Sequence, residues 1–447
     1  MSLGHWADTA VKTYFEEVEP LHTLVERAAP LLELIPKSGI EGGDTGLFFT
    51  LAGSRSFAGA LADAQEVANL AGDGGPGTAP AASTYNGEWR VPEGRIETSL
   101  RLRHIDLVRA KTNRGAYVRH LVHETKNHVM EFGERIAQVI LGPEGYPVAT
   151  NVSGVTATGV ITFDDPEEVS NFVIGMPLVA SDDDGSSASH TLLPSNVGRA
   201  VAYVKSVNRE TGSITLSAVS ASGAAGLPAG WGTNPTGIYL FPLGQFRPLL
   251  QGSTIGSKLL IQPLALWITP TAASDTLYGV DRSVDTALSG VRIPSASAPP
   301  LGTLGLPIEQ KLQFAEVFMQ SRFACRRAHT WVLHPTRWFE MARSLEAQGL
   351  LERGDTLKSG AKTLNLMGVN GDMKIVSDPH QSPDFAYGLL PDEIQIRHLD
   401  GFPAVMNADG LEFLRQADSN DLECRLVSYP KLIVREPWRH CRVNLTT

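Results

Sequence analysis

The residues with the greatest chemical potential lie in RGAYVRHLVHETKNHVMEFGERIAQVIL (114–141), where His120, His123, Glu124 and His128 cluster. Imidazoles and a carboxylate are ligands that zinc takes. A zinc-protease helix needs H-E-x-x-H, because an i,i+4 pair aims both imidazoles at one ion. Here the order is HETKNH, an i,i+5 spacing that turns His128 about 140° away from His123 at roughly 3.6 residues per turn. The protease pattern fails. His120 and His123, at i,i+3, are left as a two-ligand ion site or as solvent-facing histidines, and the second reading is the ordinary one. A cysteine nucleophile needs a base within reach. His329 is the nearest base to Cys325, but FACRRAHTW lies where a helix gives way to a strand, and the spacing predicts that the two side chains do not converge.

A third candidate is WVLHPTRWFEMARSLEAQGLL (331–351), which begins as a buried strand, stops at His-Pro and turns into an amphipathic helix. In open α/β sheets ligands gather just beyond the carboxyl ends of strands, so His334, Arg337 and Glu340 could surround one. The scaffold reading competes. Pro335 ends the strand, Trp338, Met341, Ala342 and Leu345 form one packed stripe, and Arg337 and Glu340 lie on the other side of the helix. The Asp182, Asp183, Asp184 run lacks the alternating oxygens and distal Glu of a calcium loop. RGDTLKSGAKT has the residue types of a phosphate loop without the G-x-x-x-x-G-K order, GDGGPG opens no helix, and no G-x-S-x-G elbow occurs. No catalytic residue, cofactor or metal is expected.

The elements that would position these residues fill 447 positions, 42% of them hydrophobic, enough for more than one core. A formal net charge of -10 without a basic run argues against a phosphate-matching arm. Cys325, Cys424 and Cys441 have no paired short spacing, which fits a reducing compartment and neither a disulfide framework nor a zinc site. The opening MSLGHWADTAVKTYFEEVEP lacks a secretory signal, and no run approaches the roughly 20 apolar residues of a membrane span. A cytoplasmic protein without a membrane partner is expected, at least until it assembles.

Along the chain, residues 7–36 show helical spacing cut by Pro20, Pro30 and Pro36, which predicts an arm of broken helices. GLFFTLAGSRSFAG and GRIETSLRLRHIDLV are extended runs around the turn-rich tip AGDGGPGTAPAAS and predict a long hairpin. In the second run Ile96, Thr98, Leu100 and Leu102 alternate with Glu97, Ser99, Arg101 and Arg103. Val118, Leu121, Val122, Val129, Phe132, Ile136, Val139 and Ile140 stripe a helix that would run about 40 Å. TGVITF, MPLVAS, RAVAYVKSV, SITLSAVS and GIYLFPL, separated by turn signals, predict a small β-barrel or sandwich over 155–245. After a proline-rich connection come a helix, the strand and helix of the third candidate, and closing strands.

This order of parts resembles the major capsid protein of tailed double-stranded DNA phages, the Johnson fold. RGAYVRHLVHETKNHVMEFGERIAQVILGPEG resembles its spine helix and exit turn, and GVDRSVDTALSGVR (279–292) is similar to a stretch of a prophage-rich branch. VLHPTRWFEMARSL resembles the strand and helix of the capsomer-centre domain, while MKIVSDP and FPAVMNADGLEFLRQADSNDLECRLVSYPKLIV are similar to the remaining core strands. The resemblance implies an α+β fold: an N-terminal arm (1–44), an extended hairpin or E-loop with strands leading to the peripheral domain (45–112), its spine helix (113–154) and its connection (246–303). An axial domain (304–400) and closing strands (401–447) complete it. The β-rich segment 155–245, a small barrel-like domain, is an insertion relative to the minimal fold.

The implied role is structural: hexamers and pentamers of one chain forming an icosahedral virion shell around double-stranded DNA, without sequence-specific contact. The short arm implies a separate scaffolding protein, alongside a portal. Arg101 and Arg103 then become candidates for ion pairs between subunits, and Arg337 and Glu340 for contacts around a capsomer's centre. No local motif marks an isopeptide crosslink. The rival readings are an encapsulin-like compartment and, from another class, a multi-domain hydrolase with a β-rich binding domain.

Overall fold

The computed structural model describes residues 21–39, 47–52, 84–102, 114–142, 152–155, 159–163, 165–182, 200–228, 231, 238–243, 250–251, 254–255, 261–273, 275–297, 302–347, 352–357, 359–399, 401–406, 413–415 and 422–446. Two short helices, α1 (Leu21–Ala28) and α2 (Pro30–Leu34), follow the proline punctuation. Pro30 opens α2, where its missing N–H has no intrahelical partner to lose. The broken helices are those expected, but over 21–39 they are built into the core. Leu24, Val25, Leu31, Leu32 and Ile35 are buried in it. After β1 (Lys37–Gly39) come β2 (Leu47–Ala52), β3 (Thr84–Trp89) and β4 (Ile96–Leu102), then the long helix α3 (Arg114–Leu141). Val129, Phe132, Ile136, Val139 and Ile140 of the expected stripe are buried. Gly133 lets α1 approach α3: a Cβ there would lie 2.7 Å from the Cβ of Ala28.

The hairpin differs from expectation. β2 pairs antiparallel with β3, from Leu47 opposite Trp89 to Ala52 opposite Thr84, so the return strand is TYNGEW and not the run from Gly94. TYNGEW sets Tyr85 and Trp89 against Thr84, Asn86 and Glu88, a short alternation broken by Gly87, whereas the clean alternation of β4 belongs to a half-buried sheet elsewhere.

Residues 152–242 form an antiparallel sheet of β5 (Val152–Val155), β6 (Val160–Phe163), β7 (Pro177–Ser181), β8 (Ala202–Asn208), β9 (Ser213–Ser217) and β10 (Tyr239–Pro242), in the order β10-β7-β8-β9-β6-β5. It has its own core, separate from the other two, in which Phe163 stacks on Phe172 at 5.0 Å and Trp231 Nε1 donates to Ala200 O at 3.2 Å. A 3-10 turn, Pro166–Asn171, follows β6, with Asp165 accepting from Glu167 N at its head.

Two small ladders come next, β11 (Leu250–Gln251) with β12 (Thr254–Ile255) and β13 (Thr276–Leu277) with β14 (Val280–Asp281), flanking the helical turn α4 (Leu264–Trp267). Then follow β15 (Val291–Arg292), α5 (Ile308–Phe323), β16 (Thr330–Leu333), α6 (Pro335–Ala347), β17 (Glu352–Thr356), β18 (Lys362–Gly368), β19 (Gly371–Ser377), β20 (Phe385–Leu389) and β21 (Ile394–His398). The chain closes through β22 (Ala404–Val405), β23 (Phe413–Arg415), β24 (Leu422–Ser428), β25 (Pro430–Val434) and β26 (Cys441–Asn444). A seven-stranded mixed sheet, β15-β26-β20-β16-β19-β18-β17, carries α5 and α6 over a core that includes Trp331, Leu333, Met341 and Leu345. The closing strands tie distant parts together: β25 joins β21 and β1 in one sheet, and β24 pairs with β4, β22 and β23 in another. The architecture is α+β.

Candidate functional site

At the third sequence candidate, β16 and β19 run parallel and end side by side, so the place where α/β sheets gather ligands lies beyond Leu333 and Ser377. The chain fills it with its own groups. Asp378, fully buried, accepts the Leu31 N–H of α2 at 3.2 Å on one oxygen and the His380 N–H at 3.0 Å on the other. His334 caps α6. Its carbonyl accepts from Trp338 N at 2.9 Å and its Nδ1 accepts from Thr336 N at 3.3 Å. On the other side of the ring Nε2 meets Glu167 Oε2 at 2.6 Å, and Thr336 Oγ1 donates to Glu167 Oε1 at 2.7 Å. One carboxylate of the six-stranded sheet thus receives both polar groups at the head of α6. Burial lowers the His334 pKa, with Glu167 and Asp165 opposing and Arg337 reinforcing the shift.

Arg337 and Glu340 meet each other, Nη1 to Oε2 at 2.8 Å, and Arg337 Nε donates to Pro383 O at 2.9 Å. They stand beside His334 without converging on a common point with it. Their neighbour on the open side of α6 is Phe339, 63% exposed.

Cys325 and His329 do converge, contrary to the sequence expectation: Sγ lies 3.9 Å from Nε2. The chain leaves α5 through Ala324 in the left-handed region, φ 53°, a fold-back that helix and strand periodicity does not signal. The pair is buried, with Cys325 4% and His329 1% exposed. His329 Nδ1 lies 2.8 Å from Glu316 Oε1 and its Nε2 lies 2.9 Å from the Arg439 carbonyl, so both ring nitrogens face acceptors and carry protons. Burial raises the Cys325 pKa, but the His329 contact and charge outweigh it and hold the thiol below its ordinary value. Burial opposes the charge on His329, but the Cys325 and Glu316 contacts outweigh it and push the imidazole up to about 9. Glu316 is likewise buried, yet His329 and a hydrogen bond from Asn370 Nδ2 at 3.2 Å hold its carboxyl below the usual range. Next to it His440 is buried in the opposite state: its Nδ1 accepts from Leu390 N at 3.2 Å and burial lowers its pKa to about 3.

On α3, His123 Nε2 lies 3.3 Å from Asn127 Nδ2 and His128 pairs with Glu131, while the His120 side chain lies outside the described residues. Among the described residues no three His, Cys, Asp or Glu side chains are placed to hold a metal ion, and no helix is long and apolar enough to cross a membrane. Asp183, Asp184 and Arg103 lie outside the described residues. The β24 register sets Arg101 opposite Glu423 and Ser99 opposite Arg425, and Arg425 Nε donates to Glu423 at 2.7 Å. GVDRSVD proves to be a staple. Arg282, 3% exposed, donates to Asp275 Oδ1 at 2.8 Å and to Leu266 O at 2.7 Å, while Asp285 caps the next turn by accepting from Ala287 N.

Sequence reasoning missed Glu167 and Glu316. Glu167 meets His334 from a distant stretch, and Glu316 meets His329 through the fold-back after α5, which no local spacing marks.

No protein-family model and no curated protein matches the chain. Among solved structures, the chain is similar to the cyanophage A-1(L) capsid asymmetric unit at 10% identity, over 94% of this chain and 92% of that one, with a TM-score of 0.47. It is also similar to Mycobacterium phage Che8, at 9% identity over 93% and 90% of the two chains with a TM-score of 0.37. A third likeness is to a virus-like particle from Pyrococcus furiosus, at 8% identity over 99% and 100% with a TM-score of 0.35.

Proposed function

We propose that the chain is a shell-forming protein of the tailed-phage major capsid type, without catalytic activity, whose copies assemble as hexamers and pentamers into a closed virion shell around double-stranded DNA. The observation that carries this reading is the β2–β3 ribbon, which pairs over its whole length and joins no larger sheet among the described strands. A two-stranded ribbon is marginal alone in water and needs a surface to rest on. A neighbouring copy supplies that surface, and the ribbon's root, at Trp89, is buried in the main core. The acidic balance suits a container that holds DNA without base-specific contacts.

Within this reading Arg101 and Arg103 make ion pairs between subunits, and Arg337, Glu340 and the exposed Phe339 face the next copy around a capsomer's centre. A separate scaffolding protein and a portal complete the set of partners. Replacing Arg101 and Arg103 together with Glu then blocks assembly, and normal shells from that variant remove them from the interface. Electron micrographs of the expressed chain, alone and with the products of neighbouring genes, test the whole reading. Closed shells of uniform diameter are expected, and a dispersed monomer under both conditions contradicts it.

A further inference from the structure

The hydrogen bonds around His334 fix its proton. Thr336 N–H points at Nδ1, so Nδ1 is bare, and Nε2 carries the hydrogen donated to Glu167. A second proton has only Nδ1 to go to, where it would meet the Thr336 N–H head on and strip the cap from α6. Both ends of this joint matter to the layout: His334 and Thr336 belong to the seven-stranded sheet and its helix, while Glu167 belongs to a sheet with a core of its own.

We propose that His334 is a proton-sensitive latch that docks the six-stranded sheet onto the head of α6 when neutral and loosens it when protonated. The charged groups facing the ring come from three directions. Glu167 and Asp165 approach from the six-stranded sheet, Arg337 from α6, and Asp378 from the end of β19. Asp378 is itself engaged by His380, which in turn faces Glu134 on α3. The carboxylates favour the protonated ring, while Arg337 and burial disfavour it, and burial is the larger influence. A pKa lowered in the docked state means that docking is intact above the free imidazole's 6.5 and weakens as pH falls below it toward the lowered value. The latch is a property of the single chain and does not depend on shell assembly.

Hydrogen exchange on the full chain, timed to correct for the intrinsic pH effect, reads the Thr336 amide and the 165–171 turn directly. Between pH 7.5 and 5.5 the wild type is expected to lose protection at both by about threefold or more, and His334→Gln, which cannot titrate, to show no such step. A wild type without the step, or a His334→Gln variant that keeps it, overturns the proposal. If His334→Gln does not fold, Glu167→Gln decides. Low protection at both pH values supports the latch, and an undiminished step assigns the response to other groups and overturns it. Sedimentation at pH 7.5 on the same samples reports assembly separately, so a chain that forms no particles counts against the shell reading and leaves this result standing.

Discussion

Two imidazole–carboxylate pairs in this molecule have nearly the same contact distance and opposite characters. His329 and Glu316 are both 0% exposed and sit within one core, with every ring nitrogen and both carboxylate oxygens engaged. His334 and Glu167 join two cores, and the Glu167 side chain is 46% exposed. In the first pair the imidazole is held charged up to about 9; in the second, burial lowers its pKa and the hydrogen bonds fix it neutral. What decides the difference is what the second ring nitrogen faces: a carbonyl that demands a proton, or an amide that forbids one. A charged pair locked in a core fixes a fold, whereas a neutral one at a seam can be undone.

The largest expected effect comes from breaking the buried pair. Glu316→Ala leaves an imidazolium in the core without its counter-charge, a loss of about 3–5 kcal/mol that shows as a collapse of Tm or of soluble expression. A variant with wild-type Tm makes the pair ornamental and ends the contrast. Raising the pH probes the same pair without mutation. Because the His329 pKa is raised from 6.5 to about 9, its contribution is full below 6.5 and is lost as pH rises through about 9. Tm is therefore expected to fall between pH 8 and 10 and to fall less in His329→Gln; equal slopes for the two proteins contradict the assignment. The seam pair gives the smallest effect. Glu167→Ala removes one half-exposed partner and changes global stability by about 1 kcal/mol or less, read as a nearly unmoved Tm. A loss as large as that of Glu316→Ala would make the seam as structural as the core.

Much of this scaffold was legible in the residues. The stripe from Val129 to Ile140 announced α3, and VITF, PLVAS, AYVKSVN, SITLS and YLFP all became strands of the six-stranded sheet, because half-buried strands and amphipathic helices write their period into the sequence. The helix after His334 also formed as its stripe of Trp338, Met341, Ala342 and Leu345 required. The joints were not legible. Glu167 reaches His334 across a long stretch of chain, and the Ala324 turn brings Cys325 to His329 by a backbone conformation uncommon outside glycine. β3 escaped notice because the alternation of Tyr85 and Trp89 is short and broken by Gly87, and the broken N-terminal helices gave no sign that Leu31 N would reach Asp378. Periodicity reports which face of an element is buried, and it is silent about which distant polar group completes a contact.

The most direct test of the shell reading removes the ribbon while keeping its root. Phe49 and Gly87 stand opposite each other, so an Asn-Gly turn replacing residues 50–86 closes the hairpin with Trp89 left in place. Sedimentation velocity of the purified full chain beside this variant gives the answer. Megadalton particles are expected for the wild type and capsomer-sized or smaller species for the trimmed chain. A wild type that runs as a monomer or dimer, or a trimmed chain that assembles as fully as the wild type, contradicts the shell reading.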